Sequence, residues 1–247
     1  MSIPLAQLIG MFCTLFFLGL LLTIPLYKFD LDKFAKSPVF VKILFWVPIF
    51  IIFIGVLYAS NPLRLAFLTL IILAATWEVV SKSKSAKFSN SAYYYLGTFS
   101  ILMLYFCLLE AAYPDNFVIL LITLTFATVL ADVSAFFFGN YLGKHKLPSW
   151  LNNRKSWEGV FGQGVGALFG VLLVNQVLSS TVSIWLFVPI ALGSIFGDLL
   201  NSYVKRRLDI KDWSNVIPGH GGLIDRLSSI AGSAFLLFYF IKVTGLN

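Results

Sequence analysis

Of the 247 residues, 59% are hydrophobic and only 12% are charged, about half the roughly 25% charged share of a soluble domain. So few polar side chains cannot cover that apolar fraction in water, which excludes a soluble globular protein and makes lipid the solvent. The formal net charge is +7, and the two cysteines, Cys13 and Cys107, lie inside apolar runs, which excludes a disulfide framework or a Cys-x-x-Cys metal site.

The first apolar run, residues 4–26, has no Lys or Arg ahead of it, so it reads as a permanent span and not a cleaved signal. Further runs cover 39–59, 62–81, 92–113, 116–142, 157–178, 182–202 and 223–245, each near the roughly 20 residues that a span requires. Asn61-Pro62 marks a tight turn between the second and third. The fifth run is long enough to continue past the membrane. The expectation is an all-α, polytopic integral membrane protein with about eight transmembrane helices. It forms one membrane domain over 1–247, in which 1–115 supplies N-terminal spans and 116–247 carries the residues capable of chemistry.

Charge alternates between the connecting loops. Lys28, Lys33 and Lys36 follow the first span, Lys82, Lys84 and Lys87 the third, and Lys144, Lys146, Arg154 and Lys155 the fifth. Lys205, Arg206, Arg207 and Lys211 follow the seventh, with Arg226 close behind, whereas the even loops hold only Arg64. Basic loops stay on the cytoplasmic side, so the odd loops are placed inside and both termini outside. Gly162, Gly166 and Gly170, like Gly193 and Gly197, repeat every four residues, a spacing that plain close packing of helices accounts for.

Polar groups are costly inside a membrane, so their clustering points to function. The first cluster is Asp132, followed by Gly143-Lys144-His145-Lys146. The second is Arg154-Lys155-Ser156-Trp157-Glu158-Gly159, where Ser156 can cap a helix and the cations beside that helix start suit a phosphate. The third runs from Gly197-Asp198 through Asn201, Ser202, Lys205, Arg206, Lys211 and Asp212 to Pro218-Gly-His220-Gly221-Gly222 and Asp225-Arg226. Asp198, Asn201, Ser202 and Lys205 fall at helical spacing on one face. The glycine-rich turn can offer backbone N–H groups to an anion. Together these residues suggest a polyphosphate site with Mg²⁺, which takes one or two carboxylates plus substrate phosphates. Asp198 and Asp225 are the first ligand candidates and Asp132 the third, while Lys205, Arg206, Lys211 and Arg226 would neutralise phosphate charge. Plainer readings stand beside these: the basic run as a topology anchor, His145 as a solvated loop residue, and Glu78 and Glu110 as buried polar pairs or interfacial residues.

The third cluster, Ser202-x-x-Lys205-Arg206, Lys211-Asp212 and Pro218-Gly-His-Gly-Gly-x-x-Asp225-Arg226, resembles the signature of the phosphatidate cytidylyltransferases, or CDP-diacylglycerol synthases. The likeness is strong over about 130–230, where Gly143-Lys-His-Lys146 and Lys155-Ser-Trp-Glu-Gly159 precede Gly197-Asp198 in the family's order. It implies transfer of a cytidylyl group from CTP to phosphatidate, with Mg²⁺ and a second, monovalent cation as cofactors. It assigns Asp198, Asp225 and Asp132 to metal, and Lys205, Arg206, Lys211, Asp212, His220 and Arg226 to catalysis. Lys144, Lys155, Ser156, Trp157, Glu158, Ser202, Gly221 and Gly222 would contact substrate. The implied partners are CTP, a lipid phosphate, the bilayer and a second copy of the chain as a homodimer, with no nucleic acid. The implied place is a bacterial inner membrane with the site facing the cytoplasm.

Two positions depart from the family pattern. The family continues Asp-Arg-x-Asp, but here the chain reads Asp225-Arg226-Leu227-Ser228, and Asp132-Val-Ser-Ala135 lacks the glycine more often found there. These departures keep two alternatives in view: a paralogue acting on another lipid phosphate, and a non-catalytic membrane protein that retains the nucleotide or lipid site.

Overall fold

The computed structural model describes residues 4–83, 90–152, 155–179, 182–216 and 221–246. Lys84, Lys87, Arg154, Pro218, Gly219 and His220, singled out from the sequence, lie outside these described residues. Among the described residues the architecture is helical, apart from one isolated bridge between Lys146 and Ser156.

Helix α1 (Leu5–Thr23) runs into a short 3-10 turn, Ile24–Tyr27, which ends where Lys28 turns left-handed. Asp30 caps the short α2 (Leu31–Ala35) by accepting the Lys33 N–H at 2.9 Å. Ser37 caps α3 (Pro38–Tyr58) by accepting the Phe40 N–H at 3.2 Å, with Pro38 as the first helical residue. There follow α4 (Asn61–Ser83), α5 (Ser91–Ala112), α6 (Phe117–Tyr141), the four-residue α7 (Ser149–Asn152) and α8 (Trp157–Leu178). Ser156 is the cap of α8 that the sequence suggests, its Oγ accepting the Gly159 N–H at 3.2 Å. A 3-10 turn, Ile184–Leu186, leads into α9 (Phe187–Arg207), and α10 (Leu223–Thr244) closes the chain.

Eight helices are long and apolar enough to cross a membrane, as expected. One boundary is corrected: the seventh span extends to Arg207 and not to residue 202. Val204 and Leu208 bury their side chains there and prolong the apolar stripe, while Lys205, Arg206 and Arg207 in the last turn complement the negative end of the helix dipole.

The most enclosed helix is α6, with Leu120 through Leu124 buried consecutively on all sides. The glycines of α8 let it lie directly on α6. A Cβ at Gly166 would overlap the Leu130 carbonyl, and one at Gly170 the backbone of Ala127. The crossing of α9 and α10 is equally close, with Gly193 against Gly232 and Gly197 against the Ser228 backbone. In α1 to α4, by contrast, large apolar side chains such as Phe17, Leu21, Ile51 and Leu70 are exposed. An apolar surface of that extent is suited to lipid contact.

Side-chain ties bring the odd loops to one end of the molecule. The Tyr141 hydroxyl donates to the Leu22 carbonyl at 2.9 Å, joining the exits of α6 and α1. Glu78, near the exit of α4, accepts from the start of α10, and Lys155, at the entry of α8, pairs with Asp198 of α9. The opposite end is fastened by Arg64 on α4, which pairs with Glu110 on α5 and lies over the Phe117 ring at the start of α6.

Candidate active site

The geometry is densest around Asp225, whose side chain is only 1% exposed. Gly221, at φ +83°, turns the chain into α10, a conformation that favours glycine. Asp225 then reaches back to the helix start, and its Oδ2 accepts the N–H groups of Gly222 and Trp213, both at 2.9 Å. Its Oδ1 receives Lys205 Nζ at 2.5 Å and Asn201 Nδ2 at 3.4 Å. Asn201 and Lys205 lie one turn apart on α9, so both reach the same carboxylate. Trp213 is fully buried, donates its Nε1 proton to Asn201 Oδ1 at 2.8 Å, and stacks on Tyr95 of α5 with ring centroids 5.6 Å apart. A Cβ on Gly221 would stand 3.0 Å from Asp225 Oδ2 and 3.2 Å from Asp212 Oδ1, so these two carboxylates flank the glycine turn.

A second group forms where α8 begins. The Leu147 N–H donates to the Lys155 carbonyl and the Trp157 N–H to the His145 carbonyl, each at 2.9 Å. This short antiparallel contact fixes the backbone on either side of Ser156. Lys155 reaches across to pair with Asp198, whose side chain is 31% exposed. Deeper in the helix bundle, Asp132 accepts from Ser194 Oγ at 3.2 Å and Gln163 Nε2 at 3.4 Å. Asp198, Lys155 and Arg226 all lie within electrostatic range of Asp132. Asp132 precedes Tyr141, and Asp198 precedes Arg207, by nine residues in their helices. Both carboxylates are therefore inset by roughly 13 Å from the helix ends.

The structure thus gathers Asp132, Lys155 and Asp198 in one group, and Lys205, Asp212, Asp225, Gly221 and Gly222 in another. Lys144, Arg206, Lys211 and Arg226 are exposed at the same end, and Ser202 is buried on α9. Trp157 and Glu158 face a different groove, lined also by Phe138, Leu142, His145 and Phe161. There Glu158 accepts the His145 backbone N–H at 3.1 Å and contacts His145 Nδ1 at 2.6 Å. His145 is exposed yet paired, which refines the solvated-loop reading. Ser228 is buried, and its backbone packs against Gly197 next to Asp198. The backbone at Ser228 therefore adjoins the residue before Asp198.

A hard divalent cation fits this donor set unevenly. Asp198 has one partner among the described residues, partial exposure and a second carboxylate nearby, so it suits a shared ion that takes its remaining ligands from substrate phosphates. Asp225 already accepts four donors, and an ion there would take the place of Lys205. Among the described residues no three His, Cys, Asp or Glu side chains form a cage by themselves.

Several participants carry no motif. Lys42, on α3, lies within electrostatic range of Lys211, Asp212 and Arg226. Glu78, Tyr95, Gln163 and Ser194 contribute from other helices. The one local signal is the cost of a charged residue within an apolar span, which left Glu78 as either a buried polar group or an interfacial residue and named no partner. Glu110 forms a half-buried pair, bonded to Arg64 Nε at 2.9 Å.

These features define a class: a polytopic membrane protein with cations and carboxylates paired at one end. The model of the cytidylyltransferase family matches residues 4–244, and the chain belongs to that family. It is 28% identical over 216 residues to a phosphatidate cytidylyltransferase of Helicobacter pylori, covering 85% of this chain and 76% of that protein. A phosphatidate cytidylyltransferase of Brucella abortus is 29% identical over 211 residues, covering 83% of this chain and 76% of its own. Phosphatidate cytidylyltransferase 5, chloroplastic, of Arabidopsis thaliana is 37% identical over 129 residues, half of this chain and 32% of its own. The chain is a membrane-embedded nucleotidyltransferase of this family.

Proposed function

We propose that the chain transfers a cytidylyl group from CTP to phosphatidate, giving CDP-diacylglycerol and pyrophosphate. The observation that carries this reading is the pair of ion pairs, Lys155 with Asp198 and Lys205 with Asp225, at the end where the basic loops gather. A phosphate oxygen of the lipid attacks the α-phosphorus of CTP as the bond from that phosphorus to the pyrophosphate oxygen breaks. One P–O bond forms and one is lost, and the electron pair leaves with pyrophosphate. Lys155 and Lys205 offer their protons to phosphate oxygens, while Lys144, Arg206, Lys211 and Arg226 draw the triphosphate to the mouth of the site. Asp225 holds Lys205 in position, and Asp212, Gly221 and Gly222 form the turn against which phosphate is seated. Ser156 sets the orientation of Lys155, and Ser202 lies on the face of α9 that carries Asn201 and Lys205. Asp198, with Asp132 nearby, would hold a Mg²⁺ ion, which would supply charge neutralisation for the departing pyrophosphate.

The acceptor arrives from the bilayer, which suits the apolar groove along α9 lined by Leu151, Phe196, Leu199, Leu200 and Tyr203, next to Asp198. The basic end is placed in the cytoplasm of a bacterial inner membrane with both termini outside, because Lys and Arg concentrate in the odd loops. Ser228 favours a second reading, a family scaffold whose catalysis has lapsed, since a hydroxyl stands where the family pattern continues with an acid.

Product formation from labelled CTP and phosphatidate in detergent with Mg²⁺, for wild type and Ser228→Asp, separates these readings. Product from the wild type supports the transfer and shows that serine suffices. Product from Ser228→Asp alone supports lapsed catalysis. Silence from both, with product from another lipid phosphate, changes the acceptor.

A further inference from the structure

Glu78 lies near the end of α4, and only 1% of it is exposed. A carboxylate buried there requires compensation by hydrogen bonds or a counter-charge. Among the described residues no cation pairs with it, and three donors do. Ser214 Oγ and the Leu223 N–H each reach Oε1 at 2.7 Å, and the Ile224 N–H reaches Oε2 at 3.2 Å. Leu223 and Ile224 are the first two residues of α10, whose N–H groups have no partner within the helix and sit at its positive end. A side chain from α4 therefore caps a helix 145 residues later in the chain.

The cap bears directly on the site. The residue after Ile224 is Asp225, which holds Lys205, Asn201 and Trp213. The position of that carboxylate follows the first turn of α10, and Glu78 holds that turn. Gly222 completes the arrangement, because a Cβ there would stand 2.6 Å from Glu78 Oε2 and 2.8 Å from Oε1. The backbone of Gly222, at φ −86° and ψ 170°, is open to any residue, so the demand for glycine comes from the Glu78 carboxylate. The stacking of Tyr95 on Trp213 supports the other side of the same loop.

We propose that Glu78 is a positioning residue for the reaction read above: it anchors the first turn of α10 and thereby sets Asp225 and, through it, Lys205. In Glu78→Gln the Ile224 N–H faces an amide NH₂ instead of an oxygen. Loss of that bond is expected to speed hydrogen exchange at residues 223–226 about tenfold and to lower kcat about tenfold. Exchange in α8 should stay within about threefold, and kcat should fall by a larger factor than the KM for CTP rises, because Lys155 at the entry of α8 is untouched while the turn at Gly221 and Gly222 is loosened. Gly222→Ala, which crowds the carboxylate without removing it, should reproduce both effects and add nothing in a Glu78→Ala background.

Unchanged exchange at 223–226 in both Glu78→Gln and Gly222→Ala overturns the anchoring. Faster local exchange with full kcat overturns the positioning role. Should Glu78→Gln unfold throughout, Gly222→Ala decides by the same two readouts. A wild type that makes no CDP-diacylglycerol counts against the proposed transfer alone, since the exchange measurement reads the anchor without turnover.

Discussion

Asp198 and Asp225 have similar standing in the sequence, yet their surroundings give them different work. Asp198 has one partner among the described residues and partial exposure, so Asp198→Asn should abolish transfer with little change in thermal unfolding. Asp225 is buried and accepts four donors, two of them backbone N–H groups. Asp225→Asn removes the charge and leaves the half-buried Lys205 without its counter-ion, at a cost of about 3 kcal/mol. It should lose activity and also lower the thermal midpoint in detergent, with Lys205→Met, Asp225→Asn together recovering part of the stability but none of the activity. A midpoint equal to wild type in Asp225→Asn would show the hub to be weaker than its hydrogen bonds imply.

Helix pairing rests on glycines at crossing points, and two neighbours in α8 separate packing from propensity. Gly166 lies against the Leu130 carbonyl, whereas a Cβ on Gly164 meets nothing within 4 Å. Gly166→Ala should force α8 off α6 and destabilise by about 1–3 kcal/mol. Gly164→Ala should be neutral or slightly stabilising, since alanine favours helix by up to about 1 kcal/mol. Thermal unfolding of the two variants tests this, and equal midpoints would remove the close contact from the account. Activity should follow the same order, because α8 delivers Lys155 to Asp198 and Gln163 to Asp132. At the level of α9, the continuation to Arg207 places Lys205 on a rigid helix instead of a loop, which is why it can meet a buried carboxylate.

For the whole molecule, the ties at each end predict a consistent topology. Single cysteines introduced at Lys33, Lys146 and Lys211 of a variant lacking Cys13 and Cys107 should react with a membrane-impermeant thiol reagent only from the cytoplasmic side. A cysteine at Asp115 should react only from the outside, and reactivity of all four from one side would overturn the arrangement.

Hydropathy and loop charge are local properties, so the sequence by itself determined the membrane class, eight spans placed to within a few residues, and the grouping of basic loops. The same local reading located the cap Ser156 and the segment 197–226 that carries the signature. Only the tertiary structure decided how those residues meet. Lys155 turns to Asp198 while Trp157 and Glu158, two and three residues on, line another groove. Glu78 and Tyr95 come to the site from the N-terminal half without any motif to mark them. The reason is physical: the cost of burying a charge is legible at one residue, but the donors that repay it come from helices whose contact is set by packing across the bundle, not by separation along the chain.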